Sequence, residues 1–312
     1  MSSESVNVTA YSLAGLRIVS DLPLPGLTPY RDEISAGDEI VIRRARIPES
    51  LSSVDVAFPD WQCNENELLL NIPDVARYLV RGGNEILVDQ ALASSHGDVC
   101  AYLLGTVFGM LCHQRGITPL HASAIDVTDG CVVFIGESGA GKSTLVAALA
   151  TRGHQVISDD VCFLQRHDKG GVQAWPGVYR IRLWEDAMTA LGCDGPGITR
   201  EIRGWNKYLI PVRPPRNPLE PRHLRRVYQL YIAPDDAAVG VNRLQGAAAL
   251  EVLMQNVYRL GLAEHMGYKP AAFIVCAAAA HNVPVFRFSR PMGFDTLREG
   301  VDVLEEHLHD IC

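Results

Sequence analysis

The first third of the chain carries short apolar stretches separated by polar ones, a pattern typical of β-strands rather than helices. Residues 38–47 alternate in part between polar and apolar side chains, and residues 66–72 form a short apolar run. Residues 76–90 predict a hairpin, because two such stretches flank a Gly-Gly-Asn sequence at 82–84 that suits a tight turn. We therefore predict a β-rich module over residues 1–95.

The pattern changes between residues 97 and 114, where apolar side chains recur at helical spacing. Gly116 then ends the predicted helix. From residue 118 onward the pattern becomes strand, loop, helix and strand, with a return to β-branched residues after Gly153, and this succession indicates a βαβ unit. We therefore expect an N-terminal module over residues 1–114, ending in a connecting helix, and a second domain over residues 115–312. The predicted elements of the unit are strands at 121–127, 131–135 and 154–158 and a helix at 142–152.

The rest of the second domain is less regular. Residues 195–222 are rich in Pro, Gly and Arg and predict a long loop, which would act as a lid, dock a peptide or be disordered. Helical patterns return at residues 246–263 and 295–309, with a helix–strand pair over residues 271–289 between them.

Composition narrows the classes of function. The chain of 312 residues has a formal net charge of −8 and no basic excess, which argues against a nucleic-acid partner. It has no run of about 20 apolar residues that would span a membrane, and its start lacks the basic and apolar regions of a secretion signal. Its eight cysteines are dispersed and form no CxxC pair, as in proteins of a reducing compartment. We expect a cytoplasmic protein with neither nucleic-acid nor membrane partners.

The strongest chemical signal is a glycine-rich loop at residues 136–143. Its sequence, GESGAGKS, fits GxxxxGK[ST] at every defined position, follows an apolar strand and opens a helix. In that context the glycines let backbone N–H groups approach phosphate oxygens, while the helix N-terminus adds partial positive charge. Lys142 is expected to reach the β- and γ-phosphates of ATP, and the Ser143 hydroxyl to bind Mg²⁺. The residues expected to bind the nucleotide are Gly136, Glu137, Ser138, Gly139, Ala140, Gly141, Lys142, Ser143 and Thr144.

A pair of carboxylates, Asp159 and Asp160, ends the next predicted strand. In a doubly wound sheet the carboxyl ends of neighbouring strands open onto one crevice, so we expect the pair beside the loop. One carboxylate would then hold Mg²⁺ together with Ser143, and the other would accept the proton of an attacking hydroxyl. The alternative interpretation is a solvated turn after a strand.

His121 stands at the start of the strand that precedes the loop strand. A single histidine in an apolar stretch is more often a hydrogen-bonded core residue than a catalytic one. Taken alone, it would not be assigned a chemical role.

Together, these elements resemble the catalytic core of bacterial HPr kinase/phosphorylase. His121 precedes the loop by the interval found in that family, and an RGH sequence at 152–154 and the Asp159-Asp160 pair follow it in the family's order and spacing. The resemblance implies an α/β fold whose P-loop core is related to HPr kinase and phosphoenolpyruvate carboxykinase, preceded here by the smaller β-rich module. It further implies ATP- and Mg²⁺-dependent phosphorylation of a serine on a small protein. Asp159 would be the acid–base carboxylate, Asp160 would lie near the metal, and His121 would be catalytic.

Over most of its length the chain is similar to the HPr-kinase-like proteins of lasso-peptide and related biosynthetic clusters. Those proteins share an N-terminal β module, a segment like residues 102–125 and a stretch like residues 180–187. Some of them phosphorylate a serine at the C-terminus of a precursor peptide, which makes such a peptide the preferred acceptor. The family's downstream LEIRGLGIINV signature, which supports the reverse phosphorylase reaction, is not found. Because HPr kinases form closed oligomers, the resemblance also implies a homo-oligomer.

A phosphoryl-transfer site needs positive charge beyond Lys142 and Mg²⁺. We favour Arg259, because it stands at the polar end of an otherwise amphipathic predicted helix. Each remaining candidate is as readily explained by a surface charge or by core packing. The other candidate cations are Arg180, Arg182, Lys207 and Arg213, with Glu185 as a further metal carboxylate and Trp175 or Trp184 as a surface for adenine stacking.

Three functions therefore remain open on the sequence. The first is a kinase that phosphorylates a serine of a peptide or small protein. A biosynthetic precursor peptide is the preferred acceptor, an HPr-type regulatory kinase is the variant, and a small-molecule hydroxyl is a further open acceptor. The second is a regulatory module that binds ATP without transferring phosphate, which would need no carboxylate base beside the loop. An ABC-type ATPase is disfavoured, because no LSGGQ-like segment follows the loop.

Overall fold

The computed structural model describes residues 8–29, 39–167, 170–200, 206–215, 217, 219–309 and 311. The chain divides into two compact units. The first comprises Met1–Gly116 together with Arg259–Lys269, and the second comprises Ile117–Tyr258 and Pro270–Cys312. Seven described cysteines are all free thiols. Among the described residues, no helix is both long enough and apolar enough to cross a membrane.

The described strands are, in chain order, β1 (Thr9–Leu13), β2 (Leu16–Ser20), β3 (Ile40–Arg44), β4 (Val56–Phe58), β5 (Trp61–Cys63), β6 (Glu67–Ile72), β7 (Ala76–Arg81), β8 (Glu85–Gln90), β9 (Thr118–Val127), β10 (Gly130–Ile135), β11 (Val156–Ser158), β12 (Val161–Arg166), β13 (Val172–Trp175), β14 (Arg180–Trp184), β15 (Thr199–Arg200), β16 (Lys207–Pro211), β17 (Arg222–Ala233), β18 (Gly240–Leu244) and β19 (Val285–Pro291). The described helices are α1 (His96–Tyr102), α2 (Phe108–Gln114), α3 (Lys142–Thr151), α4 (Glu185–Ala190), α5 (Ala247–Gln255), α6 (Leu260–His265), α7 (Lys269–Asn282) and α8 (Asp295–Leu308). A π-helical segment, Leu103–Val107, joins α1 to α2.

The first unit is built on one eight-stranded sheet in the order β1-β2-β3-β8-β7-β6-β5-β4. Its pairs are antiparallel except for β2–β3 and β3–β8, which are parallel. The predicted hairpin is confirmed as β7–β8, and its turn takes positive φ angles of 59° at Gly82 and 66° at Gly83, which glycine adopts at little steric cost. The predicted strands at 38–47 and 66–72 correspond to β3 and β6 over their described parts.

The predicted helix over residues 97–114 is also confirmed, as α1, the π-helical segment and α2. Ser95 and Asp98 cap its start reciprocally, each side chain bonding to the other's backbone N–H. The helical run carries a buried apolar stripe at the predicted spacing and ends before Gly116, where φ is 70°. The stripe consists of Leu103, Leu104, Val107, Phe108 and Leu111.

The second unit contains a larger sheet in the order β10-β9-β12-β13-β17-β19-β18, with β11 added beside β9. Because β10 also pairs with β17, strands β9, β10, β12, β13 and β17 form a closed circuit of pairings. Strands β10, β17 and β19 run parallel to one another, so their carboxyl ends lie at one edge. A separate three-stranded sheet has the order β14-β16-β15.

The βαβ pattern leads to the expectation that the strands before and after the predicted helix are neighbours in the sheet. The topology corrects this expectation. Both β10 and β11 pair antiparallel with β9, which therefore lies between them. The crossover through α3 spans one strand because β9 is long enough to pair along both of its edges. The carboxyl ends of β10 and β11 still point the same way, since both oppose the same strand.

The core of this unit lies where α3 and α8 cover the parallel strands. Apolar side chains of α3, β10, β17, β19 and α8 form one buried cluster. Tyr228 stacks between Phe134 and Phe286, with ring centroids 5.9 and 5.3 Å apart. Burial of such rings and of the aliphatic residues around them fixes α3, and with it the loop before α3, against the sheet. The buried core members include Val132, Phe134, Leu145, Leu149, Tyr228, Phe288, Val301 and Leu304.

Two further expectations are corrected. The helix predicted over residues 246–263 is two helices, α5 and α6, because residues 256–258 leave the helix to bond with β9. The Asn256 carbonyl accepts from the His121 amide at 2.8 Å, and the Tyr258 amide donates to the Pro119 carbonyl at 2.8 Å. The segment predicted as a loop over residues 195–222 contributes β15 and β16 to the small sheet, whereas its residues 201–205, 216 and 218 lie outside the described residues.

Candidate active site

The glycine-rich loop occupies the turn from β10 into α3, as its sequence predicts. Gly136, Gly139 and Gly141 have φ angles of 147°, 88° and 89°. A Cβ at Gly136 would lie 2.9 Å from the Leu230 carbonyl oxygen, so the loop can pass β17 only with glycine there. No described side chain caps the first turn of α3, so its N-terminal amides and partial positive charge suit an anion.

Lys142 is buried within this loop, with 6% of its surface exposed. Its Nζ donates to the carbonyl oxygens of Gly136 and Glu137 at 2.7 and 3.0 Å. Burial lowers the pKa of Lys142 to about 8, with Asp159 and Asp160 opposing the shift and Lys207 adding to it. The ammonium group therefore lies in a poorly solvated position where an anionic ligand would stabilise it strongly.

Asp159 is buried and held by three donors. The Ser123 hydroxyl donates to Oδ1 at 2.5 Å, and the Arg182 backbone amide donates to Oδ2 at 2.8 Å. Burial raises the pKa of Asp159, and the negative charge of Asp160 raises it further, while the hydrogen bonds from Ser123, Arg182 and Ser143 lower it. Burial has the larger effect, and a carboxyl group with a raised pKa is suited to accept and return a proton. The Ser143 contact also brings the loop and this carboxylate together.

Asp160 and His121 form a second pair beside Asp159. Asp160 has a φ of 72°, a left-handed conformation that only a few non-glycine residues tolerate. Its Oδ2 pairs with the Arg182 guanidinium, and its Oδ1 lies 3.7 Å from His121 Nδ1. His121 Nδ1 is also 3.1 Å from the Asp160 carbonyl oxygen, which can only accept, so Nδ1 carries the proton and Nε2 is left as the basic nitrogen.

Burial lowers the pKa of His121, and the positive charge of Lys142 lowers it further. Asp160 and Asp159 act in the opposite direction. The four predicted residues His121, Lys142, Asp159 and Asp160 therefore influence one another electrostatically. The second unit thus brings together all predicted catalytic and metal-binding residues except Arg259.

Arg259 belongs to the first unit. It is exposed and precedes α6 in a left-handed conformation, with φ 55° and ψ 34°. Its Nε donates to the Thr106 hydroxyl of the same unit at 3.1 Å. Its catalytic role stays a prediction.

The remaining candidates differ in their surroundings. Arg182 contacts both carboxylates, through its amide and through its guanidinium. Lys207 acts on the pKa of Lys142 and lies over the half-exposed ring of Trp184, 5.5 Å from the centroid. The Trp175 indole N–H donates to Gln165 at 2.9 Å. Among the described residues, no contact joins Arg213 or Glu185 to the loop or to the carboxylates, and Arg180 opens the small-sheet strand β14.

Two residues of the site were missed from the sequence. Ser123 lies two positions after His121 on β9, so the alternation of the strand places both on one face, and this spacing is a signal that could have revealed it. Asn256 gave no such signal, because the apolar pattern predicts one helix over residues 246–263 and places Asn256 inside it. Its Oδ1 accepts from the Gly136 amide at 2.9 Å and its Nδ2 donates to the Val252 carbonyl at 2.7 Å, which anchors the start of the loop to α5.

Asn256→Ala is expected to lower the free energy of unfolding by about 1–3 kcal/mol, because the buried Gly136 amide loses its acceptor. The measurement is urea unfolding of the full chain. The matched control is Gln255→Ala, an exposed neighbour whose side chain donates to Glu251, and its effect should stay within about 0.5 kcal/mol. Equal stability of the two variants would contradict the anchoring role of Asn256.

The donor set suits Mg²⁺. No group of three or more His, Cys, Asp and Glu side chains placed to hold a metal ion by themselves occurs among the described residues. Mg²⁺, however, binds through one or two carboxylates while keeping water and phosphate oxygens as its other ligands. The Ser143 hydroxyl and the carboxylates of Asp159 and Asp160 are hard oxygen donors of that kind, and they lie beside the glycine-rich loop.

Comparisons with known proteins add little to this geometry. No protein-family model matches the sequence, and no curated protein matches it. Among solved structures, the chain is similar to the Hpr(Ser) kinase/phosphatase from Coxiella burnetii, with 15% sequence identity and a TM-score of 0.31. The match covers 61% of this chain and 97% of that one. A likeness this remote assigns neither a fold family nor an activity.

Proposed function

We propose that this protein is an ATP- and Mg²⁺-dependent kinase that transfers the γ-phosphate to a serine hydroxyl of a peptide or small protein. One observation carries the proposal: the glycine-rich loop with Lys142 lies beside a buried carboxylate, Asp159, whose pKa is raised and which the Ser143 hydroxyl contacts. A module that only binds nucleotide has no need of such a carboxylate.

In the proposed reaction the loop, the carboxylates and His121 have separate roles, and Asp159 has two of them. The loop amides and Lys142 bind the phosphates and hold the γ-phosphate in line with the acceptor. Ser143, Asp160 and Asp159 would hold Mg²⁺, which would neutralise charge on the phosphate oxygens. Asp159 accepts the serine proton as the new O–P bond forms and the bond between the γ-phosphate and ADP breaks. His121 stands beside the pair with Nε2 as its basic nitrogen.

The acceptor class follows from the resemblance of the sequence to HPr-kinase-like proteins of lasso-peptide-type clusters. We favour a biosynthetic precursor peptide over HPr itself. The same resemblance supports a P-loop core related to phosphoenolpyruvate carboxykinase, a cytoplasmic location and a homo-oligomer. The domains we propose are residues 1–114 for the β-rich module and residues 115–312 for the kinase.

Nucleotide affinity is expected to fall as the pH rises above about 8. The pKa of Lys142 is lowered to about 8 by burial, so the free protein carries the ammonium below this pH and loses it above. Above this pH, Lys142 must take up a proton when the ATP phosphates bind. The affinity should therefore fall by up to about tenfold per pH unit as the pH rises toward 10.5, the ordinary pKa of lysine. Calorimetric titration with ADP at several pH values between about 7 and 9.5 measures how the affinity changes with pH. This range extends about one unit or more to either side of the pKa of Lys142. A flat profile would contradict the role of Lys142.

The proposed metal site is tested by the dependence of ATP binding on Mg²⁺. ATP binding is measured with and without Mg²⁺, and wild-type protein is compared with Asp160→Asn. The proposal predicts that Mg²⁺ strengthens ATP binding and that Asp160→Asn reduces this gain, because one metal carboxylate is lost. Binding that does not respond to Mg²⁺ in either protein would remove the metal site from the proposal.

A further inference from the structure

Arg290 lies next to the glycine-rich loop at the carboxyl end of β19. It pairs in register with Ile232 of β17, the strand that runs parallel to β10 and reaches the same edge. Its Nη2 lies only 2.9 Å from where a Cβ on Gly141 would stand. The guanidinium therefore packs directly on the backbone of the residue before Lys142, at the sheet edge where ligands of α/β folds bind.

The surroundings of Arg290 leave its charge uncompensated. Only 6% of the residue is exposed. Its Nη1 donates to the carbonyl oxygens of Pro291 and Gly293 at 3.1 and 3.3 Å, and its Nε has no hydrogen-bond partner among the described residues. No described carboxylate forms an ion pair with it, whereas Arg152, Arg182 and Arg222 in the same unit each pair with at least one.

A buried cation without an anion is unfavourable. Removing a charged group from water costs several kcal/mol unless a partner replaces the lost solvation, and two carbonyl dipoles replace only part of it. Burial accordingly lowers the pKa of the Arg290 guanidinium. An anion that enters beside the proposed phosphate-binding loop would supply the negative counter-charge that the Arg290 guanidinium lacks.

We infer that Arg290 is a phosphate-binding residue, contacting the phosphates of the bound nucleotide beside the amides of the loop. This inference rests on the proposed function, because it takes a nucleotide as the occupant of the loop. It adds a cation contributed by the last strand of the sheet, far from the loop in sequence. The bound phosphates supply the counter-charge that the described protein residues do not, so the contact is formed only with ligand.

Two variants separate this role from a structural one. Arg290→Met keeps an unbranched apolar chain in place of the arginine stem and removes the charge, and Arg290→Lys keeps the charge and removes the planar fork. The matched control is Arg287→Met, three residues earlier on β19, where the guanidinium bonds to Gln229 and lies over Tyr231. The measurements are the unfolding temperature without ligand and the affinities for ADP with Mg²⁺ and for pyrophosphate.

Arg290→Met is expected to bind both ligands about 10- to 100-fold more weakly, as fits the loss of a charge-assisted contact. Its ligand-free unfolding temperature should stay level or rise, because a buried unpaired charge is replaced by an apolar chain. Arg290→Lys should fall between wild type and Arg290→Met, and Arg287→Met should bind like wild type.

The inference is overturned if Arg290→Met binds both ligands as tightly as wild type. If the methionine variant does not fold, the same result with Arg290→Lys overturns it. Lower ligand-free stability with unchanged affinity would assign Arg290 a purely structural role through Pro291 and Gly293. Failure of the wild-type protein itself to bind either ligand would instead remove the proposed function. The two failures are therefore distinguishable in one set of titrations.

Discussion

Replacing Lys142 by alanine is expected to weaken ATP and ADP binding by at least about 100-fold, because in the proposed complex the buried ammonium would donate charge-assisted hydrogen bonds to phosphate. Its Nζ donates to two neutral loop carbonyls, and an anionic phosphate would be a stronger acceptor than either. Isothermal titration calorimetry with ADP and Mg²⁺ measures the loss.

Lys142→Met distinguishes loss of charge from loss of packing, since methionine fills the space of the lysine stem. It should bind nucleotide as poorly as Lys142→Ala and keep the wild-type unfolding temperature. The control is Lys269→Ala, a half-exposed lysine paired with Glu264, which should leave binding unchanged. Wild-type affinity in Lys142→Met would show that the loop does not bind phosphate through this residue.

Asp159→Asn is expected to retain ATP binding within a few-fold and to lose phosphoryl transfer by about 100- to 10,000-fold, the range for removal of a general base. Asparagine has nearly the same shape, so its carbonyl oxygen can still accept one of the bonds that Ser123 and the Arg182 amide make to Asp159. The measurements are single-turnover transfer to the acceptor and the binding constant for ATP.

The unfolding temperature serves as the internal check for this variant, because a collapsed site would also lose transfer. Asp302→Asn is the matched control. This carboxylate is exposed and pairs with Arg152, and Arg152 caps the end of α3 that lies opposite to the loop. It should transfer phosphate like wild type. Normal turnover in Asp159→Asn would refute the assignment of this residue as the base.

The sequence revealed the parts of the site whose signal is local. The glycines of the loop are required by the backbone conformation and by the close approach of Leu230. The sequence motif therefore predicts the local geometry directly. The hairpin at Gly82 and Gly83 follows from the same physics. His121 was recognised only through its interval to the loop, and the structure places it beside Asp160.

Other parts of the site depend on contacts between distant segments, which periodicity does not record. Asn256 leaves its helix because its backbone pairs with His121 on β9, and that pairing ended α5 earlier than the apolar pattern suggests. Strand β9 could be predicted as a strand, but not as the partner of both β10 and β11. Arg290 resembles any strand arginine until the fold places it against Gly141.

Kinase activity is tested by mass spectrometry of a serine-containing precursor peptide and, separately, of HPr, after incubation with the protein, ATP and Mg²⁺. We predict a gain of one phosphate on a peptide serine with wild-type protein, and none with Asp159→Asn or without Mg²⁺. Phosphate on HPr alone would keep the kinase and change its substrate class to a regulatory one. Bound ATP with no phosphate on either acceptor would contradict the proposed kinase activity and favour a nucleotide-binding module without transfer activity.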